Sequence, residues 1–177
     1  MYKTIINKDF SAFELAEIKE DLNIYSGDTS FNSQLNRCIA SAVEIAEKEI
    51  GFDIALTTNR QTDYCVNGTC YTVYEPNISI SGITGTTNNI QTAITGFTTY
   101  KGFQYTTIKF DTSINVDELN IIYQSGYALD KVPYDIKRAI SIKTAELFDV
   151  DRSGYVSNSV RESKAFKRIL SHYTNLL

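Results

Sequence analysis

A chain of 177 residues and 19.9 kDa suits one domain, or one core with an insertion. Apolar residues make up 42% and charged residues 21%, enough for a packed core, which excludes a disordered chain, a collagen and a coiled-coil rod. No stretch approaches ~18 uninterrupted apolar residues, and the first residues lack the apolar run and cleavage site of a signal peptide, so the expectation is a soluble protein that is not exported. The net charge of −4 argues against wrapping a nucleic-acid backbone with the whole surface, but it is unevenly spread. Residues 1–130 hold 8 Lys and Arg against 16 Asp and Glu, whereas residues 131–177 hold 9 against 5. An acidic body with a basic end suits a nucleic-acid contact, an acidic partner, or head-to-tail self-association.

Ser11 followed by Glu14 is a capping-box pattern, and Leu15, Ile18 and Leu22 recur at helical spacing, so a short helix is predicted over 12–22. A stronger helix is predicted over 31–50, with Phe31, Leu35, Cys38, Ile39, Ala42, Val43, Ala46 and Ile50 on one face and Gly51 as its stop. From Phe52 to Gly126 the chain is rich in Thr, Ile, Tyr, Asn and Gly and reads as strands over 54–58, 62–66, 69–74, 77–81, 91–99, 104–110 and 118–124. The polar stretch 82–89 reads as a loop tip. Asn67-Gly68 between β-formers predicts a two-residue hairpin that sets Cys65 opposite Cys70 and Tyr64 opposite Tyr71, with the two thiols reduced. Pro133 opens a helix over 134–149 whose apolar residues spread round most of its circumference, and Lys143 interrupts them, either reaching solvent or meeting an acidic group. A polar connector over 151–158 leads to a second capping-box pattern, Ser159 and Glu162, and a last helix over 160–175. At 100° per residue, Phe166, Ile169, Leu170 and Tyr173 fall on one arc of that helix; Arg161, Lys164, Lys167 and Arg168 fall on the other.

Catalytic chemistry has few candidates here. There is no phosphate loop, no His-Glu-x-x-His, no Gly-x-Ser-x-Gly and no dinucleotide fingerprint. The one histidine, His172, lies on the polar flank of the last helix and has no orienting carboxylate near it in sequence. Three cysteines and one histidine do not make a zinc set, and Cys38 belongs to an apolar stripe. Asp149, Asp151, Ser153 and Gly154 imitate an EF-hand loop, but position twelve is Val160 where a bidentate carboxylate is required, and Glu162 comes two residues late. The expectation is therefore a non-enzyme with no catalytic residue, no cofactor and no metal.

Three stretches carry a family resemblance. They are Leu15-Ala-Glu-Ile-Lys-Glu-Asp-Leu-Asn-Ile24, Ala42-Val-Glu-Ile-Ala-Glu-Lys-Glu-Ile-Gly51, and Leu119-Asn-Ile-Ile-Tyr-Gln-Ser-Gly-Tyr127 followed by Val132-Pro133 and Asp135-Ile-Lys-Arg-Ala-Ile-Ser-Ile142. Together they resemble the head–tail connector, or adaptor, proteins of tailed bacteriophages. The β-rich middle is longer than in the compact, mostly helical members, and the last helix runs past the usual end of the pattern. The resemblance implies a structural virion protein at the head–tail interface, made in the host cytoplasm. It would form a homo-oligomeric ring of twelve subunits between the portal and the tail or next ring protein, without membrane contact. DNA would pass through its lumen without sequence-specific binding. By location alone, the resemblance assigns Arg161, Lys164, Lys167 and Arg168 to the portal contact. The fold class expected is α+β: a helical bundle of N-terminal helices (1–51) and C-terminal helices (128–177) with an antiparallel β-rich insertion (52–127) between them. Two other functions fit the residues, a nucleic-acid-binding module using the last helix and a ligand-binding module built on the β-rich lobe.

Overall fold

The structure, a computed structural model, describes residues 2–73, 78–102, 105–128, 131–153 and 164–174. Six strands and four helices occur in the order β1 (Tyr2–Asp9), α1 (Leu15–Asp21), α2 (Asn32–Ile50), β2 (Leu56–Val73), β3 (Ser79–Thr87), β4 (Ile90–Ala93), β5 (Phe97–Lys101), β6 (Thr106–Ser125), α3 (Tyr134–Ser153) and α4 (Lys164–Thr174). They fall into two compact units, each built from two segments of chain. One is Met1–Asp9 with Ala55–Gly126, and the other is Phe10–Ile54 with Tyr127–Leu177.

The first unit is a curled antiparallel sheet in the order β1-β2-β6-β3-β4, with β5 added on β6. Its spine is the ladder between β2 and β6, which runs from Thr57 opposite Ser125 to Val73 opposite Thr106. The spine is not straight. Gln61 Nε2 donates to the Tyr71 hydroxyl at 2.8 Å, and that hydroxyl donates to Asp63 Oδ2 at 3.1 Å. In a straight strand residues 63 and 71 would lie about 27 Å apart, so β2 doubles over between them. The corner is marked by positive φ at Cys65 (56°) and Gly68 (137°) and by a slip in register: Gly68 faces Ile114 whereas Cys70 faces Lys109. Bulges and positive-φ residues are how a long strand turns a corner without losing its partner.

The predicted hairpin at Asn67-Gly68 is thus corrected. The chain does bend there, but Val66 pairs with Val116 and Cys70 with Lys109, so Cys65 and Cys70 are not ladder partners. Both are exposed free thiols, while Cys38 is buried, as its place on the apolar stripe implies. The reason is competition for backbone partners: β6 is a continuous 20-residue strand that accompanies β2 through the bend, so β2 has no need to pair with itself. The cluster of Val73, Ile78, Ile83, Ile108, Phe110, Val116, Leu119, Ile121 and Tyr123 is the core of this unit. Full burial of each aliphatic side chain is worth roughly 1.5–3 kcal/mol.

The expected fold class is overturned. The strands together span more residues than the helices, and the sheet takes its edge strand β1 from the very start of the chain, so it is not an insertion into a helical bundle. Thr4-Ile5-Ile6, an apolar and β-branched run, forms that strand, paired from Tyr2 opposite Thr62 to Asp9 opposite Leu56. The stretch 82–89 is also ladder for most of its length: β3 runs to Thr87, and the reversal into β4 is confined to Asn88 and Asn89, both at positive φ (51° and 62°).

The second unit is helical. In α2, Leu35, Cys38, Ile39, Ala42, Val43, Ala46 and Ile50 are buried, and Gly51 ends the helix at φ 85°, its N–H bonded to the Glu47 carbonyl at 2.8 Å. Ser11 is not the cap of α1; Glu14 holds that position, without a side-chain cap bond. The α2 helix packs on α3 and α4, and Phe31 meets Phe148 edge-to-face with ring centroids 5.6 Å apart. On α3, Ile136, Ala139, Ile140, Thr144 and Phe148 are buried. Lys143, the tension in the sequence, finds the acidic group, Glu146 Oε2 at 3.1 Å, and lies 5.4 Å from the centroid of the Phe166 ring. The helix runs on to Ser153, so backbone at the first EF-hand positions is helical, which that loop does not allow. The rest of the connector and the capping box at Ser159 lie outside the described residues.

Candidate functional site

The α4 helix carries the basic face expected of it. Phe166 and Leu170 are buried, while Lys164, Lys167, Arg168 and His172 are exposed. An amphipathic helix held by its apolar side presents the other side in a fixed array. Three of the four assigned cations, Lys164, Lys167 and Arg168, are therefore brought together on one exposed surface, and Arg161 lies outside the described residues. Phe166 is locked in place by packing and by the Lys143 ammonium beside its ring. The last turn is stitched by Ser171 Oγ donating to the Arg168 carbonyl at 2.8 Å and Thr174 Oγ1 donating to the Ser171 carbonyl at 3.2 Å.

Electrostatics keep the neighbouring phenols neutral. Burial raises Tyr173 above its ordinary value, and the Asp135 carboxylate adds to this; burial also raises Tyr127, with Tyr173 contributing. The cationic face is thus backed by protonated hydroxyls. Its exposed side bears Lys, Arg and His but no exposed aromatic ring, so the stacking platform of a single-strand binder is missing from the described part of α4.

His172 is exposed on the last turn. Among the described residues no group of three or more His, Cys, Asp or Glu could hold a metal ion, and no helix is long and apolar enough to cross a membrane. A second surface escaped the sequence reading. On β1, Tyr2, Ile5 and Ile6 are exposed along the outer edge of the sheet. The signal was the run Thr4-Ile5-Ile6, which has the composition of a strand.

No family profile matches the chain, and no curated protein does. Solved structures do. A chain from the neck of an empty gene transfer agent particle, computed with sixfold symmetry, superposes with a TM-score of 0.78 at 12% identity, covering 98% of this chain and 95% of that one. A chain from the virion of a native gene transfer agent particle gives 0.77 at 10% identity, over 98% and 95%. A chain from the neck of the native particle, computed with twelvefold symmetry, gives 0.70 at 11% identity, over 98% and 94%. The fold is that of phage-like neck proteins, which agrees with the resemblance drawn from the helical segments.

Proposed function

We propose that the chain is a structural neck protein of a phage-like particle, a non-enzyme that forms a homo-oligomeric ring between the portal and the tail or next ring. Twelve subunits would extend the DNA channel, and α4 would meet the portal through Lys164, Lys167 and Arg168. The observation that carries this reading is a shared fold over 98% of the chain with proteins solved in particle necks. The anchored basic face is consistent with it, since oppositely charged flanks steer and orient subunits as they meet. An acidic body also lets a polyanion slide past without adhering.

The test is assembly with the portal protein encoded beside this chain. Rings seen by electron microscopy and co-sedimentation with portal are expected, with co-sedimentation lost in Lys164→Glu combined with Arg168→Glu at unchanged thermal stability. Absence of both rings and portal binding sinks the proposal. Steeply salt-dependent binding of free DNA, abolished by the same pair of changes, would move α4 to the nucleic-acid reading.

A further inference from the structure

The sheet of the first unit ends in two open edges. Among the described residues β1 pairs only with β2 and β4 only with β3, so no strand lies on the outer side of either. Proteins normally blunt such edges with charge, brevity or a kink, because a bare edge is a template for another chain. Here the blunting is partial. Tyr2, Ile5 and Ile6 are 67%, 53% and 50% exposed, and Ile5 stands in register with Asn59, which is itself opposite the core residue Tyr123. The apolar row of the core therefore runs out to a bare rim. At the other edge every residue of β4 is exposed, and Ile90 is 67% exposed.

The two edges match in extent. The register slip between Ile5 and Asn7 leaves residues 2–5 as the regular stretch of β1, and β4 is 4 residues long. They also match in charge. Lys3 and Lys8 make β1 cationic, so pairing β1 with a second β1 would set like charges near one another, whereas Ile90-Gln-Thr-Ala93 is uncharged. Beside the β3–β4 turn sits Asp117, whose carboxylate accepts the Asn88 N–H at 2.8 Å.

We propose that β1 of one copy adds to β4 of a second copy of this chain, extending one sheet into the next. Different edges on the two partners make a heterologous contact, the kind that propagates around a ring, while self-pairing of β1 would stop at a dimer. The placement rests on the ring-forming reading above and adds the strands that close it.

Cysteine cross-linking tests it. In a Cys65→Ser, Cys70→Ser background, Ile5→Cys combined with Ile90→Cys, oxidised at high protein concentration, is expected to give a ladder of dimers, trimers and larger species on a non-reducing gel. Thr4→Cys combined with Gln91→Cys covers the adjacent register and uses two exposed positions. Each single cysteine is expected to give no ladder. Dimers from Ile5→Cys or Thr4→Cys alone would mean self-pairing and overturn the proposal, as would absence of a ladder in both double variants when circular dichroism shows them folded. Electron microscopy separates the two ideas: closed rings without a ladder remove the strand contact but keep the ring, and a ladder without closed rings keeps the contact but removes the ring.

Discussion

The Tyr71 hydroxyl donates to the Asp63 carboxylate at 3.1 Å although the two residues belong to the same strand, eight positions apart. This bond spans the inside of the corner in β2 and joins its two halves. Burial pushes the Tyr71 phenol up from 10.0 to about 12; the Gln61 bond acts against this, and the Asp63 charge adds to it. A phenol whose folded value is raised contributes stability that is fully present below pH 10 and is lost as pH rises from about 10 to 12. Tyr71→Phe is expected to cost about 1 kcal/mol at pH 7 and to flatten the fall in stability above pH 10. Urea unfolding at pH 7 and pH 11 checks both.

Asp63 is held below its ordinary value. Partial burial opposes this, but the Tyr64 N–H at 3.0 Å and the Tyr71 hydroxyl outweigh it. The sign is the reverse of that for Tyr71: the contribution is present above about pH 3.8 and disappears as pH falls below it. Asp63→Asn is expected to reduce the acid sensitivity of the unfolding midpoint between pH 5 and 3, read by thermal melts across that range.

Two glycines of β3 are expected to respond oppositely to alanine. A Cβ at Gly85 would lie 2.6 Å from Val116 Cγ1 and 3.2 Å from Ile94 Cδ1, whereas at Gly82 it would meet nothing within 4 Å. Gly85→Ala overpacks the core and should cost about 1–3 kcal/mol, while Gly82→Ala should be neutral or stabilise by up to about 1 kcal/mol through the unfolded chain. Differential scanning calorimetry of the two variants distinguishes them.

Lys19 is almost fully buried, and its ammonium donates to the carbonyls of Ser26 at 3.2 Å and Asp28 at 2.6 Å. It ties the turn after α1 to the helix itself. Lys19→Met leaves both carbonyls without that donor and should cost about 1–3 kcal/mol. Limited proteolysis should then show faster cleavage within residues 23–30.

The thiols give a direct reading of the sheet. Two of three cysteines, Cys65 and Cys70, are expected to react with a thiol reagent in the folded protein, and Cys38 only after denaturation. Rapid labelling of all three would contradict the packing of α2.

The helical unit was legible in the sequence because its signals are local. The apolar stripe of α2, Gly51 as its stop, Pro133 ahead of α3 and the two-sided α4 all follow from 3.6-residue spacing. Lys143 was legible as a conflict, though its resolution by Glu146 and Phe166 required the fold. The sheet was legible only in composition. Asn67-Gly68 carries a strong local preference for a hairpin, but β6 offers hydrogen bonds all along β2, and that long-range pairing prevails. The break expected over 82–89 fails for the same reason: β6 pairs with β3 from Ser79 to Thr86 despite the glycines. The cationic face of α4 was visible residue by residue; the bare edge of β1 was not, since exposure of a strand edge depends on which strand lies beside it.

Each of the two compact units is assembled from chain segments that the other unit interrupts, with crossings at residues 9–10, 54–55 and 126–127. This imposes an order on synthesis. β2 emerges from the ribosome some fifty residues before β6, its main ladder partner, and β1 precedes both. Neither the sheet nor the helical unit has all its pieces until the chain is well past residue 126, so folding is dominated by late, long-range closure. A nascent chain stalled before that point exposes β1 and β2 without the strand that covers them. The molecule is thus most vulnerable to aggregation in the last third of its translation.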